Sequence, residues 1–152
     1  MPDFYSRVRP EPTPSLQMAL SDHIDTCEKT VVLGLREDAS ENVIAEAVRE
    51  AKLRQAALRV VMFSADDPSS PNYSGVSQVK EIARELIDAG VEFEIFRPAS
   101  DVGEQVLELA RQHNAELIVL SIRKRSPMLK MLLGSATQHV LLGADCPVLS
   151  LR

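Results

Sequence analysis

A chain of 152 residues, 45% apolar and 26% charged, has the make-up of a single globular domain. It is long enough to bury about two thirds of the surface its unfolded form exposes. A net charge of −5 argues against a duplex-binding protein, which needs a basic face to displace counterions from phosphates, so nucleic acid is not an expected partner. The apolar runs are too short to span a bilayer, and Asp3 and Arg7 interrupt any signal-peptide core. Two cysteines, Cys27 and Cys146, lack metal-ligand spacing and suit reduced thiols, so the expectation is a cytoplasmic protein with no membrane partner.

Residues 1–29 read as a separate arm. Pro2, Pro10, Pro12 and Pro14 crowd its first half, and Leu16, Leu20, Ile24 and Cys27 then follow helical spacing, which predicts a short helix over part of the domain or over a partner subunit; the alternative is a mobile tail. From Thr30 the period alternates. Val31 to Leu35 is a buried strand, and Val43, Ile44, Ala47, Val48 and Ala51 line one face of a helix that Ser40 is placed to cap. Leu58 to Phe63 is the next strand, followed by a loop rich in Pro, Ser and Asp. A helix with the face Val79, Ile82, Ala83, Leu86 and Ile87 comes next, ended by Gly90 as a left-handed cap.

Val91 to Phe96 predicts a third strand. Asp101 with Glu104 three residues on has the capping-box pattern, and opens a helix with the face Val102, Val106, Leu109 and Ala110. Asn114 takes the left-handed turn that releases the chain into the strand Leu117 to Leu120. After a basic loop, Gly134-Ser135 begin a last helix and Cys146-Pro147-Val148-Leu149 a last strand. Five strands alternating with helices imply right-handed crossovers and an open parallel α/β sheet, Rossmann-like, with helices on both faces.

The stretch from Ala115 to Arg152 closely resembles the C-terminal half of universal stress proteins, and the resemblance extends more weakly back to about Thr30, giving a domain over residues 30–152. In that family a strand ends in glycine, a second glycine follows after two residues, and glycine with serine or threonine comes nine residues later. Here Gly134 and Ser135 keep the last element, Cys146-Pro147-Val148 matches the usual ending, and Ser121 and Lys124 stand in place of the earlier glycines. The resemblance implies the fold of the adenine nucleotide hydrolase-like group, with strand order 3-2-1-4-5 and a crevice between the first and fourth strands. Ligands of open α/β sheets bind at such a switch point.

Three segments meet there: Leu35 to Ser40, Ser64 to Ser74 and Ser121 to Ser135. Amides at a helix start, backed by the positive end of the dipole, favour a phosphate at Gly134 and Ser135. Arg123, Lys124, Arg125 and Lys130 add four positive charges, read either as phosphate ligands or as a solvated loop. Leu120, Phe63 and Ala136 fall where the family has apolar contacts to a base, and equally suit ordinary core. Where nucleotide-binding members place an aspartate after the first strand, this chain has Arg36, a charge reversal, with Glu37 and Asp38 out of register by one or two residues.

What the resemblance implies is a cytoplasmic, homodimeric stress-response protein, pairing through Val148 to Leu151. Its ligand would be an adenine nucleotide, ATP or AMP, or another small phosphate-bearing anion, at a site comprising Arg36, Phe63, Leu120, Ser121, Lys124, Gly134, Ser135 and Ala136. The competing reading keeps the fold as a nucleotide-free dimeric interaction module. Neither a catalytic residue nor a metal is expected. There is no metal-binding His pair, nucleophile elbow or Walker loop, and Leu35-Arg36-Glu37-Asp38 lacks the Ser-Gly-Gly-type loop of the related hydrolases, leaving only slow incidental ATP hydrolysis.

Overall fold

The computed structural model describes residues 15–63, 75–98, 101–122 and 134–152. Its elements are β1 (Ser15–Leu20), a 3-10 turn (Ile24–Thr26), β2 (Lys29–Arg36), α1 (Glu41–Arg54), β3 (Ala56–Phe63), α2 (Gly75–Ala89), β4 (Phe93–Pro98), α3 (Val102–Gln112), β5 (Leu117–Ser121), α4 (Ser135–Gly143) and β6 (Val148–Leu151). The sheet order is β1-β4-β3-β2-β5-β6. Strands β2 to β6 are mutually parallel and reproduce the expected 3-2-1-4-5 order.

The first strand corrects the reading of the arm. Ser15 to Leu20 is extended, not helical, and pairs antiparallel with β4 from Ser15↔Pro98 to Leu20↔Glu94 with a bulge between Gln17 and Ala19. Among the described residues the sheet therefore has six strands, one antiparallel. Helical spacing of four apolar residues is a weak local preference, while the bare edge of β4 offers a row of amides and carbonyls that another strand satisfies. Side chains fix the pairing: Gln17 Nε2 donates to Glu94 Oε1 at 2.6 Å, the Phe93 amide donates to Ser21 Oγ at 2.8 Å, and that hydroxyl donates to the Glu92 carboxylate. Residues 1–14 lie outside the described residues.

Two cores sandwich the sheet. Val31, Leu33, Leu35, Leu58, Val60 and Val119 pack with α1 and α2, and Val32, Val61, Ile118 and Leu120 pack with Val106, Leu107 and Val140 of α3 and α4. Burial on both faces is why the central strands carry unbroken β-branched runs. The predicted punctuation holds at Gly90 (φ 75°) and Asn114 (φ 49°), and Gln55 at φ 54° ends α1 in the same left-handed way. Asp101 accepts from the Glu104 amide at 3.1 Å, as the capping pattern predicts. Ser40 occupies the cap position of α1, but its hydroxyl makes no cap bond and donates instead to the Arg152 carbonyl at 3.3 Å.

Helix α3 comes unusually close to its neighbours. A β-carbon on Gly34 would stand 2.9 Å from Leu120 Cδ2 and 3.4 Å from Val106 Cγ2, one on Gly103 3.1 Å from the Ala136 carbonyl oxygen, and one on Gly143 2.7 Å from Leu107 Cδ1. Toward the amino ends of the strands, on this same face, an Arg59–Glu94 ion pair with both side chains 11% exposed is joined by Thr30, whose hydroxyl accepts from Arg59 Nε at 3.3 Å. His113, at the end of α3, feels this pair: burial and then repulsion from Arg59 lower its pKa below the ordinary 6.5, with Glu94 opposing.

Two outcomes follow from this packing. Gly34→Val forces two methyl-bearing branches into the Leu120–Val106 contact and lowers unfolding free energy by about 1–3 kcal/mol in urea titrations. Because the folded state depresses the His113 pKa, its contribution is fully present above the ordinary value of 6.5 and is lost as pH falls from there through the folded-state value. Thermal melts across that window show a decline in stability with acidification that His113→Gln makes shallower.

Candidate functional site

Parallel pairing brings the tips of β2 and β5 side by side, in register from Val31↔Leu117 to Gly34↔Leu120. Arg36 closes β2 opposite Phe63 of β3. The chain then turns tightly, with the Ala39 amide donating to the Arg36 carbonyl at 3.0 Å and the Glu37 amide to the Phe63 carbonyl at 2.9 Å. Gln78 of α2 braces the turn by donating from Nε2 to the Glu37 carbonyl at 2.8 Å. The Arg36 side chain, only 12% exposed, donates from Nε and Nη2 to the two carboxylate oxygens of Asp38 at 2.9 and 3.2 Å. This forked contact fixes the guanidinium plane.

The second half is the start of α4. Gly134 is the cap residue, exposed, with φ −57°, and the first intrahelical bond runs from the Gln138 amide to its carbonyl at 3.0 Å. The amides of Ser135, Ala136 and Thr137 therefore have no intrahelical acceptor, and the helix dipole adds to their positive potential. Gly134, as the cap residue, has no side chain to bond them. Among the described residues, a β-carbon at Gly134 would meet only Thr137 Oγ1, at 3.9 Å.

Helix α3 links the two halves. Val106 rests on Gly34, two residues before Arg36, while Gly103 lets the first turn of α4 approach through Ala136 and His139. Glu104, beside Gly103, pairs with His139 Nε2 at 2.8 Å and with Arg111 at 3.4 Å. The His139 hydrogen bond is the largest cause holding the Glu104 carboxyl below its usual range, with Arg111 assisting and burial opposing.

Of the residues expected at the site, Phe63 and Leu120 converge on Gly34, with Phe63 Cε1 at 3.9 Å and Leu120 Cδ2 at 2.9 Å from its β-carbon position, and Arg36 stands at the same tip. Ser121 is buried beside Leu151 and, by strand alternation, faces α1 and α2 rather than the side of Leu120. Ala136 leans on α3. Gly134 and Ser135 begin α4 as expected. Lys124, with Arg123, Arg125 and Lys130, and the loop 64–74 lie outside the described residues.

Sequence reasoning missed Gly34 and Gly103 as packing determinants and Gln78 as the brace. Asp38 was noted as an acid out of register, and its pairing with Arg36 was not legible. Elsewhere, a groove of about 200 Å³ lined by Leu107, Arg111, Asn114, Asp145 and Cys146 lies by the amino ends of β5 and β6, away from the strand tips. Burial, then the neighbouring Asp145, raises the Cys146 pKa, the reverse of what a nucleophilic thiol needs.

The family model described as the universal stress protein family matches residues 28–152. A universal stress protein of Mycolicibacterium smegmatis is 34% identical over 125 residues, covering 80% of this chain and 96% of the relative. Among solved structures, the universal stress protein from Archaeoglobus fulgidus in complex with dAMP superposes with TM-score 0.58 at 21% identity, covering 82% of this chain and 98% of that one. A universal stress protein in complex with cAMP gives 0.60 at 24% identity, covering 83% and 98%. Sheet order, the glycine-led α4 and the extent of these matches agree, and the chain belongs to the universal stress protein family.

Proposed function

We propose that this chain is a non-catalytic stress-response protein of the cytoplasm, a homodimer that holds a phosphate-bearing small molecule of the nucleotide class in the crevice between β2 and β5. The observation that carries the reading is the glycine-led amino end of α4, whose first amides lack an intrahelical acceptor, at the end of the sheet where β2 finishes in the guanidinium of Arg36. Backbone N–H groups with the dipole behind them suit a phosphate, and the switch point of the sheet is where such folds take ligands. The solved relatives that carry dAMP and cAMP support the same ligand class, with AMP and ATP as its nearest candidates.

Dimerisation draws support from the sheet edge. β6 is the last strand in the order, so one side of its Val148–Leu151 ladder has no partner among the described residues, and a second copy related by a two-fold axis satisfies those groups. A second reading, the nucleotide-free interaction module, is favoured by one observation: Arg36 is already engaged by Asp38 where the resemblance leads one to expect an acid.

Calorimetric titration with AMP, ATP and pyrophosphate separates the readings, since heat from none of them leaves the module. Gly134→Asp is the informative variant. The position is exposed, has ordinary φ and prefers aspartate as a cap, so the fold is kept or stabilised, while a carboxylate now occupies the anion's place. Binding falls at least tenfold with no loss in Tm; unchanged affinity removes α4 from the site. Light scattering after size exclusion gives twice the chain mass at micromolar protein, and a monomer there refutes the β6 pairing.

A further inference from the structure

The Arg36 guanidinium has five N–H groups, and Asp38 takes the pair on its Nε/Nη2 edge. The other edge, formed by Nη1 and the outer hydrogen of Nη2, meets no acceptor among the described residues, although the side chain is only 12% exposed. A mostly shielded cation with half its fork unspent is a recognition element for a group with two adjacent acceptors. Phe63, its register partner, supplies an apolar surface at the same strand tips. Asp38 and the Gln78 brace hold this arrangement in place, so little ordering is left for a ligand to impose.

We propose that Arg36 makes this crevice selective for purines with a 6-oxo group, the guanine and hypoxanthine class, over adenine. The inference rests on the phosphate reading above. With the phosphate on the α4 amides, the base extends toward β2 and β3. A 6-oxopurine there presents O6 and N7, two neighbouring acceptors spaced for the end-on fork of an arginine. Adenine presents N7 beside an amino group, so one donor of the fork faces another donor and loses its bond. The contact is non-covalent and needs no co-reactant.

The test titrates the full chain with GMP, IMP, AMP and pyrophosphate at one salt concentration. GMP and IMP bind alike, since both carry O6 and N7, and each binds about tenfold or more tightly than AMP, within the discrimination a forked base contact gives. Arg36→Lys keeps the charge and loses the fork; it abolishes the difference between GMP and AMP. AMP binding as well as or better than GMP overturns the selectivity while leaving the phosphate site standing. Persistence of the preference in Arg36→Lys overturns the role of the fork. Absence of binding by all four compounds overturns the phosphate reading and this inference with it.

Discussion

The close seating of α3 is the constraint on which the rest depends. One helix has to touch β2 and α4 together, and it does so because glycine stands at the places where a side chain would hold the elements apart: Gly34 under Val106, Gly103 under Ala136 and His139, and Gly143 under Leu107. Interiors packed to crystal-like density transmit displacement instead of absorbing it. The separation between the tip of β2 and the amides of α4 is therefore set by packing that lies beneath the crevice. Glu104 reinforces it from outside, but its pair with His139 is about two-fifths exposed and so contributes little beside the buried contacts.

Charge at the strand tip follows a different logic. A lone guanidinium with 12% of its side chain exposed would be costly to desolvate, and the two-point contact with Asp38 offsets that cost while leaving part of the cation's hydrogen-bonding capacity unused. Two residues of sequence separation suffice, because the tight turn at Arg36 to Ala39 folds the aspartate back over the arginine. The Arg59–Glu94 pair, equally buried, is tied to Thr30 and Gln17 and is structural in character.

Legibility in the sequence tracked how local each determinant is. The runs Val31 to Leu35, Leu58 to Phe63 and Leu117 to Leu120 declared themselves as strands because each is buried on both faces, and Gly90 and Asn114 could be read because left-handed backbone limits the choice of residue. The N-terminal strand was misread as helix because its stability comes from β4, more than seventy residues away, through contacts such as Gln17 with Glu94. Ser40 takes the cap position it was read for, but its hydroxyl turns to the Arg152 carbonyl, a partner 112 residues away, and not to the helix. At the site, Gly134 was evident from spacing, whereas Gly34 looked like one more strand residue until Leu120 and Val106 were seen to press on it.

The antiparallel entry of β1 has a practical corollary for anyone handling the protein. Ser15 lies beside Pro98 and Leu151 beside Ser121, so the polypeptide enters the sheet and leaves it at one common rim, the rim that carries the crevice. An affinity tag or fused reporter joined behind Arg152 starts its path there and crowds the mouth. An internal insertion after Gln55, where α1 hands over to β3 at the far end of the sheet, keeps added mass clear of it.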